Sequence, residues 1–217
     1  MSITICIDDI NRRINKLNKD DILLIEKYLI ENNLASDKDD AVTIKEKLSN
    51  PPVLNSSEFA SEVIYVILAS GFSQKTAKKK YFEIMNYINN LNDKKIELSD
   101  LLIIFNNKNK MSAIMNIWKN KDMLTRDYYQ LNDNKDRMKF LLKLPFIGPI
   151  TQNHIARNLG INTVKPDIWI VRLSNSCGYT SYHDMFDELS KLTEYPIGYL
   201  DVILWKACQI GIIRFDK

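Results

Sequence analysis

Between Leu142 and Asp167 the chain sets out residue types that can hold a phosphate and present a carboxylate. Leu144-Pro145-Phe146-Ile147-Gly148 reads as a tight turn between two apolar-periodic stretches. Pro149 suits the first position of the following helix, where the N–H it lacks would be unused anyway. Two short helices joined by a hairpin are expected, the first over 134–142 and the second from Pro149 to Asn158 or Leu159, before Gly160. Gly148 and the backbone N–H groups of Ile150 and Thr151 would then lie at a helix N-terminus, where unpaired donors can face a phosphate; Pro149 donates nothing. A helix pair that only packs is the plainer reading of the same residues. Asp167, after Lys165-Pro166 and before Ile168-Trp169-Ile170-Val171, reads first as an N-cap worth about 1 kcal/mol.

Charge supports an anionic ligand in the same stretch. The chain of 217 residues has a net charge of +3, but residues 101–172 hold twelve Lys/Arg against five Asp/Glu, with no Glu. A basic middle between neutral or acidic ends fits one anion-binding face, nucleic acid being the commonest such ligand, and fits equally a solvated lysine-rich helical surface. The cysteines, Cys6, Cys177 and Cys208, are odd in number and form no C-x-x-C pair, so neither a disulfide framework nor an iron–sulfur cluster is expected. With two histidines only, His154 and His183, a zinc site would need carboxylates. His154 is expected at the surface or as a cap.

The elements that must position these residues are read as helices. Hydrophobic residues at 45% and charged residues at 26% describe a globular chain, and six glycines and six prolines are too few for an all-β chain rich in tight turns. The fold class is all-α, about ten helices in two lobes. Ile10, Ile14 and Leu17 share a helical spacing, as do Leu23, Leu24, Tyr28 and Leu29 behind an N-cap at Asp20 or Asp21. A shorter helix is expected from Asp39 or Asp40 to Leu48, and Asn50-Pro51-Pro52 breaks the chain. A very apolar helix then follows Ser56 or Ser57 and stops at Gly71; an amphipathic one opens near Ser73 with Lys75, Lys78 and Lys79 about its first turns. Further helices are expected over 100–105, from Lys110 or Met111 to Trp118, and over 134–142. No apolar run is long enough to span a bilayer and the first dozen residues are charged, so a cytoplasmic or nuclear location is expected rather than secretion.

Leu144-Pro145-x-x-Gly148 followed by Lys165-Pro166-Asp167-Ile168-Trp169-Ile170-Val171-Arg172-Leu173 resembles the helix-hairpin-helix and Gly/Pro-Asp signature of the DNA glycosylase superfamily that includes endonuclease III and the 3-methyladenine glycosylases. The match covers residues 140–174, with a weaker one from Glu58 to Tyr81, where ILASGFSQKTAKKK is similar to the helix-loop-helix that faces the DNA minor groove. The resemblance implies an all-helical, two-lobed fold with double-stranded DNA across the cleft. It divides the chain into an N-terminal region, 1–55, and a glycosylase domain, 56–217, with the hairpin over 134–159 and the catalytic loop over 160–174. Two residues depart from the pattern. Phe146 stands where the family hairpin has its first glycine, and Ile150 stands where bifunctional members carry the lysine that forms a Schiff base with the sugar.

The resemblance implies that Asp167 is catalytic. Breaking an N-glycosidic bond builds positive charge on the deoxyribose; a fixed carboxylate stabilises it and can orient or deprotonate the attacking water. Phe72 or Gln74 would fill the space left by the flipped base, although Phe72 can equally be core. Lys75, Lys165 and Arg172 would neutralise phosphates beside the hairpin contacts of Phe146, Gly148, Ile150 and Thr151. Trp169, Tyr65 and Trp118 are candidates for the base pocket, against core packing. Hairpins of this family often hold a monovalent cation, K+ or Na+, on carbonyls that here would come from Leu142, Leu144 and Ile147; no other cofactor is required.

A monofunctional DNA glycosylase of base excision repair, acting as a monomer, is the reading these residues favour. A non-catalytic helix-hairpin-helix DNA-binding protein, with Asp167 as a cap only, is a second. A bifunctional glycosylase/lyase taking its amine from Lys143 or Lys165 is a third. Alkylated purines are the first expectation for the base, since a cationic base already leaves well; oxidised guanine, mismatched thymine or uracil and hypermodified bases stay open.

Overall fold

The computed structural model describes residues 3–7, 10–34, 41–91 and 95–215. The described chain is mostly helical, and its contacts divide it into two compact units, 1–52 with 156–217, and 53–155. The first of these joins the N-terminal region to the end of the chain, so the partition is not the split at residue 55.

The first unit begins with β1 (Ile3–Ile7) and β2 (Ile10–Ile14), and β3 (Ile213–Phe215) completes an antiparallel sheet in the order β2-β1-β3. Ile3 lies opposite both Ile14 and Phe215. The helix expected through Ile10 and Ile14 is therefore a strand. The reason is in the neighbouring sequence: Ile3-Thr4-Ile5-Cys6-Ile7 alternates β-branched residues at period two, with Ile3 and Ile5 buried, and residues 10–14 pair with it.

Helix α1 (Lys19–Glu31) is capped by Asn18, with Asp21 returning the bond to the Asn18 N–H, so Asp21 is the far half of a capping box and not the cap. Helix α2 (Ala41–Ser49) follows; the start expected at Asp39 or Asp40 lies outside the described residues. Later in the chain come α10 (Ile168–Ser176), α11 (Tyr182–Thr193) and α12 (Ile197–Gln209). The buried face of α12 packs against α1, α2, α10 and α11, so it is the axis of this unit's core.

The second unit is built on α3 (Ser56–Ala69), whose residues from Val63 to Leu68 are all buried. Asn55 caps it and Glu58 returns the bond, one residue before the expected serines. Around α3 lie α4 (Gln74–Asn89), α5 (Leu98–Ile104), α6 (Lys108–Lys119) and α7 (Lys121–Tyr129). Ser73 caps α4 as expected. The unit ends with α8 (Asn134–Leu142) and α9 (Pro149–Asn158), the hairpin pair, with the bounds the sequence implied. The final turn of α9 belongs to the first unit. No helix among the described residues is long and apolar enough to cross a membrane.

Candidate active site

In the second unit the hairpin turn between α8 and α9 passes through a left-handed Phe146. Phe146 adopts φ 67, the left-handed region that a side chain enters at a cost of about 1–2 kcal/mol, and its ring is 42% exposed. The turn is closed by the Ile147 N–H donating to the Leu144 carbonyl at 3.1 Å. One expected phosphate donor is already engaged. The Gly148 N–H donates to Thr151 Oγ1 at 2.8 Å, half of a capping box in which the third helical residue satisfies the cap position. The N–H groups of Ile150 and Thr151 lie in the first turn of α9, where no carbonyl one turn back exists to accept them. Ile150 is exposed, and its side chain brings no amine to this surface. A monovalent cation on Leu142, Leu144 and Ile147 fits the turn in one respect: a carbonyl has two lone pairs, so the bonded Leu144 oxygen keeps one for a metal.

Nearby in sequence, His154 is only 3% exposed, with its ring 6.1 Å from that of Tyr65. The expectation of a surface or capping histidine fails because this position faces the unit's core. Tyr65 itself is 1% exposed and meets Tyr81 edge to face, so it presents no ring face to a base. Trp118 lies on the rim of an open pocket of about 380 Å³ shared with Tyr81, Phe82 and Met85, and Lys121 Nζ stands 4.9 Å from its ring.

The loop between α3 and α4 carries the other candidates. Gly71 takes φ 76, Phe72 is exposed, Gln74 opens α4 and Lys75 is exposed on its first turn. What holds this loop is a buried lysine from α6. Lys110 on α6 is 3% exposed, and its Nζ donates to the carbonyls of Leu68 at 3.2 Å and Ser70 at 2.5 Å, the open C-terminal end of α3. Its Nζ also stands 4.3 Å from the Phe72 ring and 5.5 Å from that of Phe146. Burial pushes the amine down from 10.5 to about 8. The available signal was a lysine on the apolar stripe of α6 with Ile114 and Ile117, a place where a charge must find partners.

In the first unit Asp167 is the N-cap of α10, with Oδ1 accepting from the N–H groups of Trp169 at 3.0 Å and Ile170 at 3.2 Å. Its Oδ2 lies 3.9 Å from Lys165 Nζ, and the carboxylate is 16% exposed, so it is a cap that also reaches solvent. Lys165 Nζ stands 5.9 Å from the Trp205 ring. Trp169 stacks on Phe215 with ring centroids 6.3 Å apart, and the Arg172 guanidinium lies 5.8 Å from its ring, so this indole is in contact with the protein's own groups. Beneath the loop, Asp201 of α12 accepts from the Lys165 N–H at 3.0 Å and pairs with Arg157. Both side chains are buried. Burial raises the Asp201 carboxyl above its ordinary value; the Arg157 guanidinium and the Lys165 N–H act against that, and Asp167 adds to it. The motif reading missed this pair, although an aspartate within the apolar run Tyr199-Leu200-Asp201-Val202-Ile203 signals a partner.

The structure is similar to the 8-oxoguanine DNA glycosylase of Thermotoga maritima, with a TM-score of 0.60 and 16% identity over 85% of this chain and 93% of that one. It is similar also to the 8-oxoguanine DNA glycosylase of Methanocaldococcus jannaschii, with a TM-score of 0.62 and 17% identity over 88% and 95%. The fold is that of a DNA glycosylase. No protein-family model matches the sequence, and no curated protein matches it. In this glycosylase fold the hairpin belongs to α8 and α9, and Asp167 to the turn that opens α10.

Proposed function

We propose that the protein is a monofunctional DNA glycosylase that hydrolyses the N-glycosidic bond of a damaged or modified base in double-stranded DNA. The observation that carries this reading is the Asp167 carboxylate. One oxygen is fixed by two backbone N–H groups and the other lies 3.9 Å from the Lys165 ammonium, on a side chain that is 16% exposed, in a chain with a glycosylase fold. The two N–H bonds set the carboxylate's direction and cost nothing to reorganise during reaction.

In the reaction the bond between C1′ and the base nitrogen breaks and the base departs with the electron pair. The sugar becomes cationic beneath Asp167, and a water oxygen bonds to C1′ as its proton passes to the carboxylate and onward to the base. The products are free base and an abasic site. Phe72, exposed in the α3–α4 loop with its ring edge to face with Phe105, or Gln74 at the start of α4, would fill the stack after flipping. Backbone N–H groups at Ile150 and Thr151, with Lys75, Lys165 and Arg172, would bind phosphates, and a K+ or Na+ ion on the Leu142, Leu144 and Ile147 carbonyls would add positive charge at the hairpin. Trp118, which lines an open pocket, is the base-pocket candidate.

The relatives in structure are 8-oxoguanine DNA glycosylases, which places 8-oxoguanine beside alkylated purines at the head of a panel of single-lesion duplexes. Release of free base from one of them is the expected result; binding without release from any would leave a DNA-binding protein with Asp167 as a cap only. The bifunctional reading has one observation in its favour, the Lys165 amine 3.9 Å from Asp167. Borohydride treatment on abasic DNA is expected to trap no adduct. A covalent adduct lost in Lys165→Met would establish the lyase.

A further inference from the structure

We propose that Asp201 is a positioning residue for Asp167: a buried anchor, neutralised by Arg157, that fixes the Lys165-Pro166-Asp167 tripeptide and so aims the catalytic carboxylate. The inference deepens the glycosylase reading and rests on the assignment of Asp167.

The tripeptide has only two backbone donors, because Pro166 has no N–H. Both are used within one short chain of bonds. The Lys165 N–H donates to Asp201 Oδ2 at 3.0 Å, and the Asp167 N–H donates to the Lys165 carbonyl at 2.8 Å across a three-residue turn centred on Pro166. The position of the Asp167 backbone therefore follows from that of Lys165, and Lys165 follows Asp201. Asp201 stands on α12, the most enclosed helix of its unit, between the buried residues Leu200 and Val202. A carboxylate is costly at such a site unless paired. Arg157, from the end of α9, supplies the charge, and the two side chains are 5% and 1% exposed. The neighbouring Gly198 keeps the approach close: a Cβ there would lie 3.1 Å from the Thr163 carbonyl and 3.3 Å from Arg157 Cγ.

The pair also has an electrostatic consequence. Asp201 and Asp167 act on each other as like charges. With Arg157 beside it, Asp201 is a compensated charge at the foot of the loop. The Cys208 thiol, also on α12, feels the Asp167 charge as well.

Two variants of the full chain test the proposal. Arg157→Leu with Asp201→Leu replaces the buried pair by apolar groups, an exchange that buried ion pairs often tolerate, and removes the anchor. It is expected to stay folded by circular dichroism and to bind lesion DNA within about twofold of the parent. Its single-turnover base release is expected to fall roughly 10–100-fold, as small misplacements of a reacting group do. Amide hydrogen exchange at Lys165 and Asp167 should rise about tenfold or more. Asp201→Asn keeps an oxygen for the Lys165 N–H but leaves Arg157 uncompensated; exchange at Lys165 and Asp167 should stay protected, and base release should stay within about threefold of the parent's. A folded double variant with parental exchange and parental release overturns the proposal. Should that variant not fold, an Asp201→Asn protein whose exchange stays parental while base release falls about tenfold or more overturns it instead. A parent that releases no base from any lesion removes the glycosylase reading, and exchange at Lys165 and Asp167 still decides whether Asp201 fixes the tripeptide.

Discussion

Asp167 caps α10 through one oxygen, and the proposed reaction gives the carboxylate a second duty; the two can be separated by substitution. Asparagine caps a helix as well as aspartate does, so Asp167→Asn should leave the thermal midpoint close to the parent's, whereas Asp167→Ala should lose about 1 kcal/mol with the cap. Base release should vanish in both, by about a hundredfold or more, since neither side chain can stabilise a cationic sugar. Asp167→Asn at parental rate would leave the carboxylate without a catalytic role. Phe146 poses a complementary question of stability. Its ring is exposed, so little burial is lost on truncation, but its backbone is left-handed. Both Phe146→Gly and Phe146→Ala delete the ring and only glycine relieves the strain; urea unfolding should therefore find the glycine variant more stable by about 1 kcal/mol. The sequence made the cap at Asp167 legible through Pro166 before it and the apolar run after it. It did not make legible that the Gly148 N–H would be taken by Thr151, because a hydroxyl three residues on can bond either the backbone or solvent.

Helices with a sharp start were readable from sequence, and their ends less so. The N-cap at Ser73 and the bounds of α8 and α9 follow from local capping chemistry, whereas β2 was mistaken for a helix because its pairing partner lies in another strand. Lys110 shows the same limit between α3 and α6: its importance depends on carbonyls forty residues earlier. A neutral amine still has two N–H bonds for the two carbonyls, so losing the proton removes a buried charge without breaking the cap. The sign of the pH effect follows. The unfolded chain keeps this proton up to 10.5 and the folded chain only to about 8, so between those values the unfolded state binds more protons and stability rises with pH. Below about 8 both states are charged and the contribution is flat. Against Lys110→Met, which has nothing to titrate, the parent should gain about 1–2 kcal/mol in urea unfolding between pH 8 and 10. A difference that stays constant or falls across that window would mean the ammonium is not desolvated.

At the scale of the whole chain, the two units differ in charge. Residues 53–155 hold fifteen Lys/Arg and ten Asp/Glu, and the remainder holds fifteen and seventeen, so the positive charge is concentrated in the unit that carries most of the hairpin. Composition alone could not decide between a DNA face and a solvated helical surface. The choice depends on whether these charges displace counterions from a phosphate backbone, which a binding measurement reads directly. If Lys75, Lys165, Arg172 and the hairpin N–H groups neutralise several phosphates, the logarithm of the affinity for a lesion duplex should fall linearly with that of salt. For six contacts the loss is about a thousandfold between roughly 50 and 200 mM. Lys75→Ala should weaken binding to every duplex equally and reduce the slope by about one, because a phosphate contact carries no sequence or lesion information. The same substitution should leave single-turnover base release at saturating protein unchanged, since a phosphate contact holds the duplex and takes no part in breaking the glycosidic bond. An affinity that does not respond to salt would mean that the basic surface is only solvated, and that the duplex is held by something other than its phosphates.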